Sequence, residues 1–123
     1  MKAQYMGHRL LEVDGSRHDF DDNLANLTLN DPEYFVLDID FYAGLESGDA
    51  LGAFTLRVCS PKWFVHNCRG VQPGKHMLFM PRFDAASLEQ FIESYCADTE
   101  GETWEAVALK LHCLGSWEFV YRT

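Results

Sequence analysis

At 123 residues, 47% hydrophobic and 14% aromatic, the chain is the size of one domain and too apolar to remain disordered, so a single domain over residues 1–123 is expected. A formal charge of −9 opposes direct nucleic-acid binding, and no stretch approaches the roughly 20 apolar residues of a membrane span. Residues 1–50 carry a net −8 and the remainder −1; the acidity is concentrated in the N-terminal part and favours a basic partner.

Lys2 to Val13 reads as a first strand. Asp14 to Asn30 is polar and reads as a loop with a helical turn around Leu24 to Leu27, and Asn30-Asp31-Pro32 is a turn signal. Tyr34 to Ala43 then alternates. Phe35, Leu37, Ile39 and Phe41 point one way and Tyr34, Val36, Asp38, Asp40 and Tyr42 the other, the pattern of a half-buried antiparallel strand. Gly44 to Gly52 reads as the hairpin connection, with Ala53 to Cys59 returning and Phe54, Leu56 and Val58 inward. Ser60-Pro61 stops that strand and opens a short helix carrying Trp63 and Phe64, with Ser60 as cap and Pro61 at the first helical position. After a loop from Gly70 to Gly74, His76 to Phe83 is apolar on both faces, as in a central strand or one joining two sheet regions, with Pro81 marking its end.

In the last third, Asp84 occupies an N-cap position before a stripe of Leu88, Phe91, Ile92, Tyr95 and Cys96. Thr103 caps a second helix with Trp104, Val107, Ala108 and Leu111 on one side, and Gly115 reads as the left-handed residue that ends it. Ser116 to Tyr121 switches to period two, with Trp117, Phe119 and Tyr121 on one face. The sum is an α+β fold: an antiparallel-dominated sheet of about five strands, two C-terminal helices packed on one face, and a short helix after the third strand.

Catalytic chemistry is scarce. There is no phosphate-binding Gly-rich loop, GxSxG elbow or HExxH, and His76, at a strand start, has no local partner. Cys59, Cys68, Cys96 and Cys113 lack a CxxC pair and read as reduced thiols in or near the core. With no signal-peptide pattern, that points to the cytoplasm. Asp38 and Asp40 share a strand face with Cβ atoms ~7 Å apart, a spacing that suits a metal or an acid/base pair, so a small metal-dependent hydrolase is one alternative. Tyr34 and Tyr42 fall on the same face, however, and acids interleaved with tyrosines make a protein-binding surface. Glu46 and Asp49 in the adjoining hairpin extend it. An adaptor subunit of a larger complex is a third reading.

Laid out in order, the signals resemble the immunity protein 8 family of bacterial polymorphic toxin and contact-dependent inhibition systems. The resemblance is carried by Asp31-Pro32-Glu33-Tyr34-Phe35, by Val58-Cys59-Ser60-Pro61-Lys62-Trp63, and by Gly74-Lys75-His76 before an apolar run. Tyr95-Cys96, Gly101-Glu102-Thr103-Trp104 and the closing Gly115-Ser116-Trp117-Glu118-Phe119 complete it. Pro61, Trp63, Trp104, Trp117, Glu118 and Phe119 mark the family, the aromatic members reading physically as core and caps. The chain departs from the pattern from Phe64 to Gly74, which is basic and polar, and at its last four residues, which carry little acid. The resemblance implies an antitoxin-like cytoplasmic protein with no catalysis and no cofactor, which binds the toxin C-terminal domain encoded beside it. If that toxin is a nuclease, its basic cleft suits an acidic inhibitor built on Tyr34, Asp38, Asp40, Tyr42, Glu46 and Asp49, with steering raising the on-rate roughly 10–10³-fold.

Overall fold

A computed structural model describes residues 1–17 and 23–122. The expected loop over Asp14 to Asn30 therefore lies partly outside the described residues, as does the side chain of Tyr121. Among the described residues, six strands and three helices follow in chain order: β1 (Ala3–Val13), β2 (Ser16–Arg17), β3 (Val36–Leu45), β4 (Leu51–Cys59), α1 (Pro61–Asn67), β5 (Met77–Phe79), α2 (Ala85–Ala97), α3 (Trp104–Leu111) and β6 (Ser116–Trp117). Single 3₁₀ turns span Leu24–Asn26 and Glu118–Arg122. The sheet runs β2-β1-β3-β4-β5, with β6 sharing the outer side of β4. Every pairing is antiparallel except β4 with β5. This is the expected α+β class.

The strand alternation sets the core. Leu37, Ile39 and Phe41 pair across to Val58, Leu56 and Phe54, and all six are buried. The Phe41 and Phe54 rings stack at 5.1 Å, a geometry worth about 0.5–1.5 kcal/mol beyond its buried area. On the other side of the pair, β1 breaks register between Tyr5 and Gly7 and between Leu10 and Glu12. Met6 and Leu11 are the extra residues of two bulges, and Gly7 takes the first at φ 119°. Such bulges twist a long strand so that its free side is a poor template for other chains.

The helices start where their caps dictate. The side chains of Ser60, Asp84 and Thr103 accept the backbone N–H groups of Trp63, Ser87 and Ala106. Leu88, Ile92 and Cys96 of α2 and Val107, Ala108 and Leu111 of α3 are buried against the same side of the sheet. Phe91, expected on that stripe, is instead 49% exposed. The inward row is i, i+4, i+8, and Phe91 lies to one side of it.

Four expectations are corrected. The hairpin connection is shorter than Gly44 to Gly52, because Gly44, Leu45, Leu51 and Gly52 remain in the strands. The apolar run from His76 to Phe83 gives only a three-residue strand at the end of the sheet, with Phe79 half-exposed; its apolar side chains meet α1 and α2 rather than two covered sheet faces. The aromatic stretch after Gly115 pairs with β4 for two residues and then turns into a 3₁₀ segment, so Phe119 is 42% exposed rather than core. Gly115 is not left-handed: it is absent from the residues with positive φ. It is glycine for lack of space, since a Cβ there would sit 2.8 Å from Phe41 Cε1 and 3.1 Å from Phe54 Cβ.

Candidate functional site

One residue out of phase with the core, β3 and its neighbours display a face that α2 and α3 do not cover. Cross-strand register builds it in rows. Arg17 pairs with Glu12, Glu12 with Asp38, and Asp38 with Arg57; in the next row Arg9 pairs with Asp40 and Asp40 with Thr55. A further pairing joins Tyr42 to Gly7 and Ala53. A shallow concavity of about 430 Å³ lies over these rows, lined by Arg9, Glu12, Arg17, Asp38 and Thr55. At the Val36 end α1 folds over the face, placing Trp63 5.7 Å beneath the Arg57 guanidinium.

The electrostatics differ from those of an acidic strand. The Arg57 Nε and Nη2 donate to the two oxygens of Asp38 at 2.9 and 3.2 Å, a bidentate pair. That pairing holds the guanidinium even more firmly charged than usual. Asp40, only 8% exposed, accepts the Thr55 hydroxyl at 2.7 Å and Arg9 Nη2 at 3.3 Å. Glu12, Asp38 and Asp40 are thus matched by Arg9, Arg17 and Arg57. Alternation along one strand showed the acids; the bases arrive from three other strands. Both aspartates are engaged by guanidinium groups where a hydrolase would need them to face a metal. Among the described residues no group of three or more His, Cys, Asp or Glu is placed to hold a metal.

The six residues expected to form one contact surface spread along a strip. Asp38, Asp40 and Tyr42 share the open face. Tyr34 precedes β3 and belongs to the α1 end, its hydroxyl accepting Asn67 Nδ2 at 2.9 Å and its ring 5.8 Å from His66. Glu46 and Asp49 are exposed on the β3–β4 turn at the opposite end, roughly 30–40 Å from Tyr34 along a strand rising ~3.3 Å per residue. At that end the turn meets the N-terminus and the α2–α3 linker. Glu46 N–H donates to the Lys2 carbonyl at 3.3 Å, Ala3 N–H to Thr99 at 2.9 Å and Gly101 N–H to Met1 at 2.9 Å. Glu100 and Glu102 are exposed there, and Leu51 is 65% exposed beside them.

Of the family-marking residues, Pro61 opens α1, and Trp104 and Trp117 meet edge to face at 6.4 Å. Trp117 is buried, Trp63 and Trp104 half-buried, and Glu118 exposed. The Cys59 and Cys96 thiols are pushed up to about 11, chiefly by burial, so neither is a ready nucleophile. Cys113 is exposed, just past the end of α3.

Two polar clusters escaped the sequence reading. Leu24 N–H donates to His8 Nε2 at 3.1 Å, which assigns the ring proton to Nδ1; that atom lies 2.8 Å from the Tyr5 hydroxyl and 3.1 Å from Glu89 Oε2. Burial, followed by the hydrogen bond to Glu89, raises the Tyr5 phenol well above its ordinary range. The cluster fastens the turn after residue 22 to β1 and α2. The second joins His76 and His112, whose rings lie 4.6 Å apart with His76 Nε2 2.8 Å from the His112 carbonyl. The links from Tyr5 to Glu89 and from His76 to His112 span 84 and 36 residues, beyond the reach of any local pattern.

No helix of the described residues is long and apolar enough to cross a membrane. No curated protein and no solved structure matches the chain. The family profile described as immunity protein 8 does, over residues 14–121, which takes in β2 to β6 and all three helices but not β1, the strand that carries Arg9 and Glu12. With most of its length matched, the chain belongs to the immunity protein 8 family.

Proposed function

We propose that the chain is a cytoplasmic immunity protein of a bacterial polymorphic toxin or contact-dependent inhibition system. It binds the C-terminal domain of its cognate toxin and neutralises it without catalysis, by covering the toxin's active or substrate-binding surface. The observation that carries the choice of face is the asymmetry of the sheet. One side is sealed by α2 and α3, while the other lies open over Asp38, Asp40 and Tyr42 and continues to Leu51. Compensated charge rows on this face select a partner by matching its pattern, and Tyr34 and Tyr42 add contact area at low entropic cost. Steering comes from the hairpin end, where Glu46 and Asp49 attract a basic toxin surface such as a nuclease cleft.

Co-expression with the toxin domain encoded next to this chain tests the reading. Growth rescue and a stable one-to-one complex are the expected outcome. Glu46→Lys with Asp49→Lys should slow association and flatten its salt dependence, and Asp38→Asn with Asp40→Asn should speed dissociation. Unchanged rates in both double variants would remove the open face from the interface. Toxicity unrelieved, with no complex, would remove the function itself.

A further inference from the structure

β5 stands at the end of the sheet. Its parallel ladder with β4 includes Arg57 N–H to the His76 carbonyl at 3.0 Å and Met80 N–H to the Cys59 carbonyl at 3.1 Å. Alternate residues of such a ladder face the partner. His76, Leu78 and Met80 therefore turn towards β4, and the N–H and C=O groups of Met77 and Phe79 point outward. Among the described residues no strand lies against that side. Beside it, between β5 and α2, runs a groove of about 160 Å³ lined by Leu78, Phe79, Met80, Ser87, Leu88 and Phe91. Phe79 and Phe91 are each 49% exposed.

Charge distinguishes this end from the rest of the molecule. Residues 50–83 contain Arg57, Lys62, Arg69, Lys75 and Arg82 and no Asp or Glu, in a chain of net −9. Arg57 is engaged by Asp38. Lys75 and Arg82 flank β5 on either side in sequence, both exposed. The contact between Arg82 and Glu33 spans 3.8 Å between exposed groups, too weak to withhold the cation from a better partner.

We propose that an extended acidic segment of the toxin adds as a further strand along β5. Its backbone pairs with Met77 and Phe79, an apolar side chain enters the groove against Phe91, and its carboxylates meet Lys75 and Arg82. An open strand edge beside a helix wall is the geometry of strand addition, in which backbone bonds supply affinity and the pocket supplies selection. The inference rests on reading the chain as a toxin-binding protein. It adds orientation: the acidic hairpin end and the basic β5 end fix how a toxin of complementary polarity lies across the sheet.

The test uses the purified complex with the toxin domain. Amide hydrogen exchange at Met77 and Phe79 should slow at least tenfold on binding, while Leu78, already bonded to β4, changes little. Lys75→Glu with Arg82→Glu, both at exposed positions, should weaken binding at least tenfold without altering the thermal midpoint. A complex in which both amides exchange at the free rate, or which the charge reversal leaves unchanged, overturns the inference while toxin binding stands. Protection of these amides in the isolated chain at high concentration assigns the edge to a second copy and overturns it too. Absence of any complex removes the toxin-binding reading and this inference with it.

Discussion

On one side of β3, Leu37, Ile39 and Phe41 are fully buried beneath α2 and α3; on the other, Asp38, Asp40 and Tyr42 lie beyond the reach of either helix. The same ten residues serve both sides, one step out of phase. On the covered side identity is dictated by shape, because a packed interior tolerates neither gaps nor excess volume. On the open side it is dictated by pairing across strands. Asp40 shows where the two regimes touch: it is on the open face yet nearly buried, because Arg9 and Thr55 close over it. Position on a face and exposure to solvent are separate properties, and only unburdened residues of the open face are free to be chosen by a partner.

The comparison is broken most forcefully from the covered side. Phe41→Ala removes a fully buried ring stacked on Phe54 and should cost about 3–5 kcal/mol, read as a lower urea midpoint with unchanged slope. Gly115→Ala, by crowding Phe41 and Phe54, should cost about 1–3 kcal/mol. A loss below 0.5 kcal/mol in either variant would mean that the Phe41–Phe54 layer is loosely packed.

Within the open face, the two aspartates should behave unequally. Asp40→Ala leaves Arg9 and the Thr55 hydroxyl without their buried acceptor, at a cost of about 1–3 kcal/mol. Asp38→Ala breaks a bidentate pair whose Arg57 partner is 45% exposed and should cost no more than about 1 kcal/mol. Equal losses in chemical denaturation would show that burial does not separate them, and the division between a supporting and a recognition residue would fail.

Much of this was legible in sequence. The caps Ser60, Asp84 and Thr103 and the phase of β3 follow from local rules and stand as expected. The reading failed where a residue's role depends on what crosses it. Gly115 resembles a helix stop, yet only the Phe41 and Phe54 side chains show why no Cβ fits. Phe91 fits a helical stripe, but whether it is covered depends on how far the sheet extends beneath it. The run from His76 to Phe83 is apolar enough for a central strand; its place at the end is set by the topology of β4, whose outer side it shares with β6. For the candidate surface, the acids were visible along β3, whereas Arg9, Arg17 and Arg57 compensate them from neighbouring strands. Periodicity reports one strand at a time, and charge balance belongs to the sheet.

The smallest expected effect concerns the turn from α3 into β6, where neither face is in question. Trp117 N–H donates to His112 Nδ1 at 3.0 Å, so that nitrogen must remain unprotonated for the bond to exist. Burial, then the nearby His76 and Lys75, holds the His112 pKa below its ordinary 6.5. Between the lowered folded value and 6.5 the unfolded chain binds more protons, so stability rises with pH across that window. The contribution is complete above about pH 6.5 and is lost as pH falls towards the folded value. His112→Asn keeps an acceptor near the Nδ1 position and removes the titration. Urea denaturation of both proteins at pH 7.5 and 5.5 should show the wild type losing more stability than the variant. Equal losses would mean that His112 takes up its proton alike in the folded and unfolded chain, and that β6 is held by packing of Trp117 against Phe54, Trp104 and Phe119 rather than by this bond.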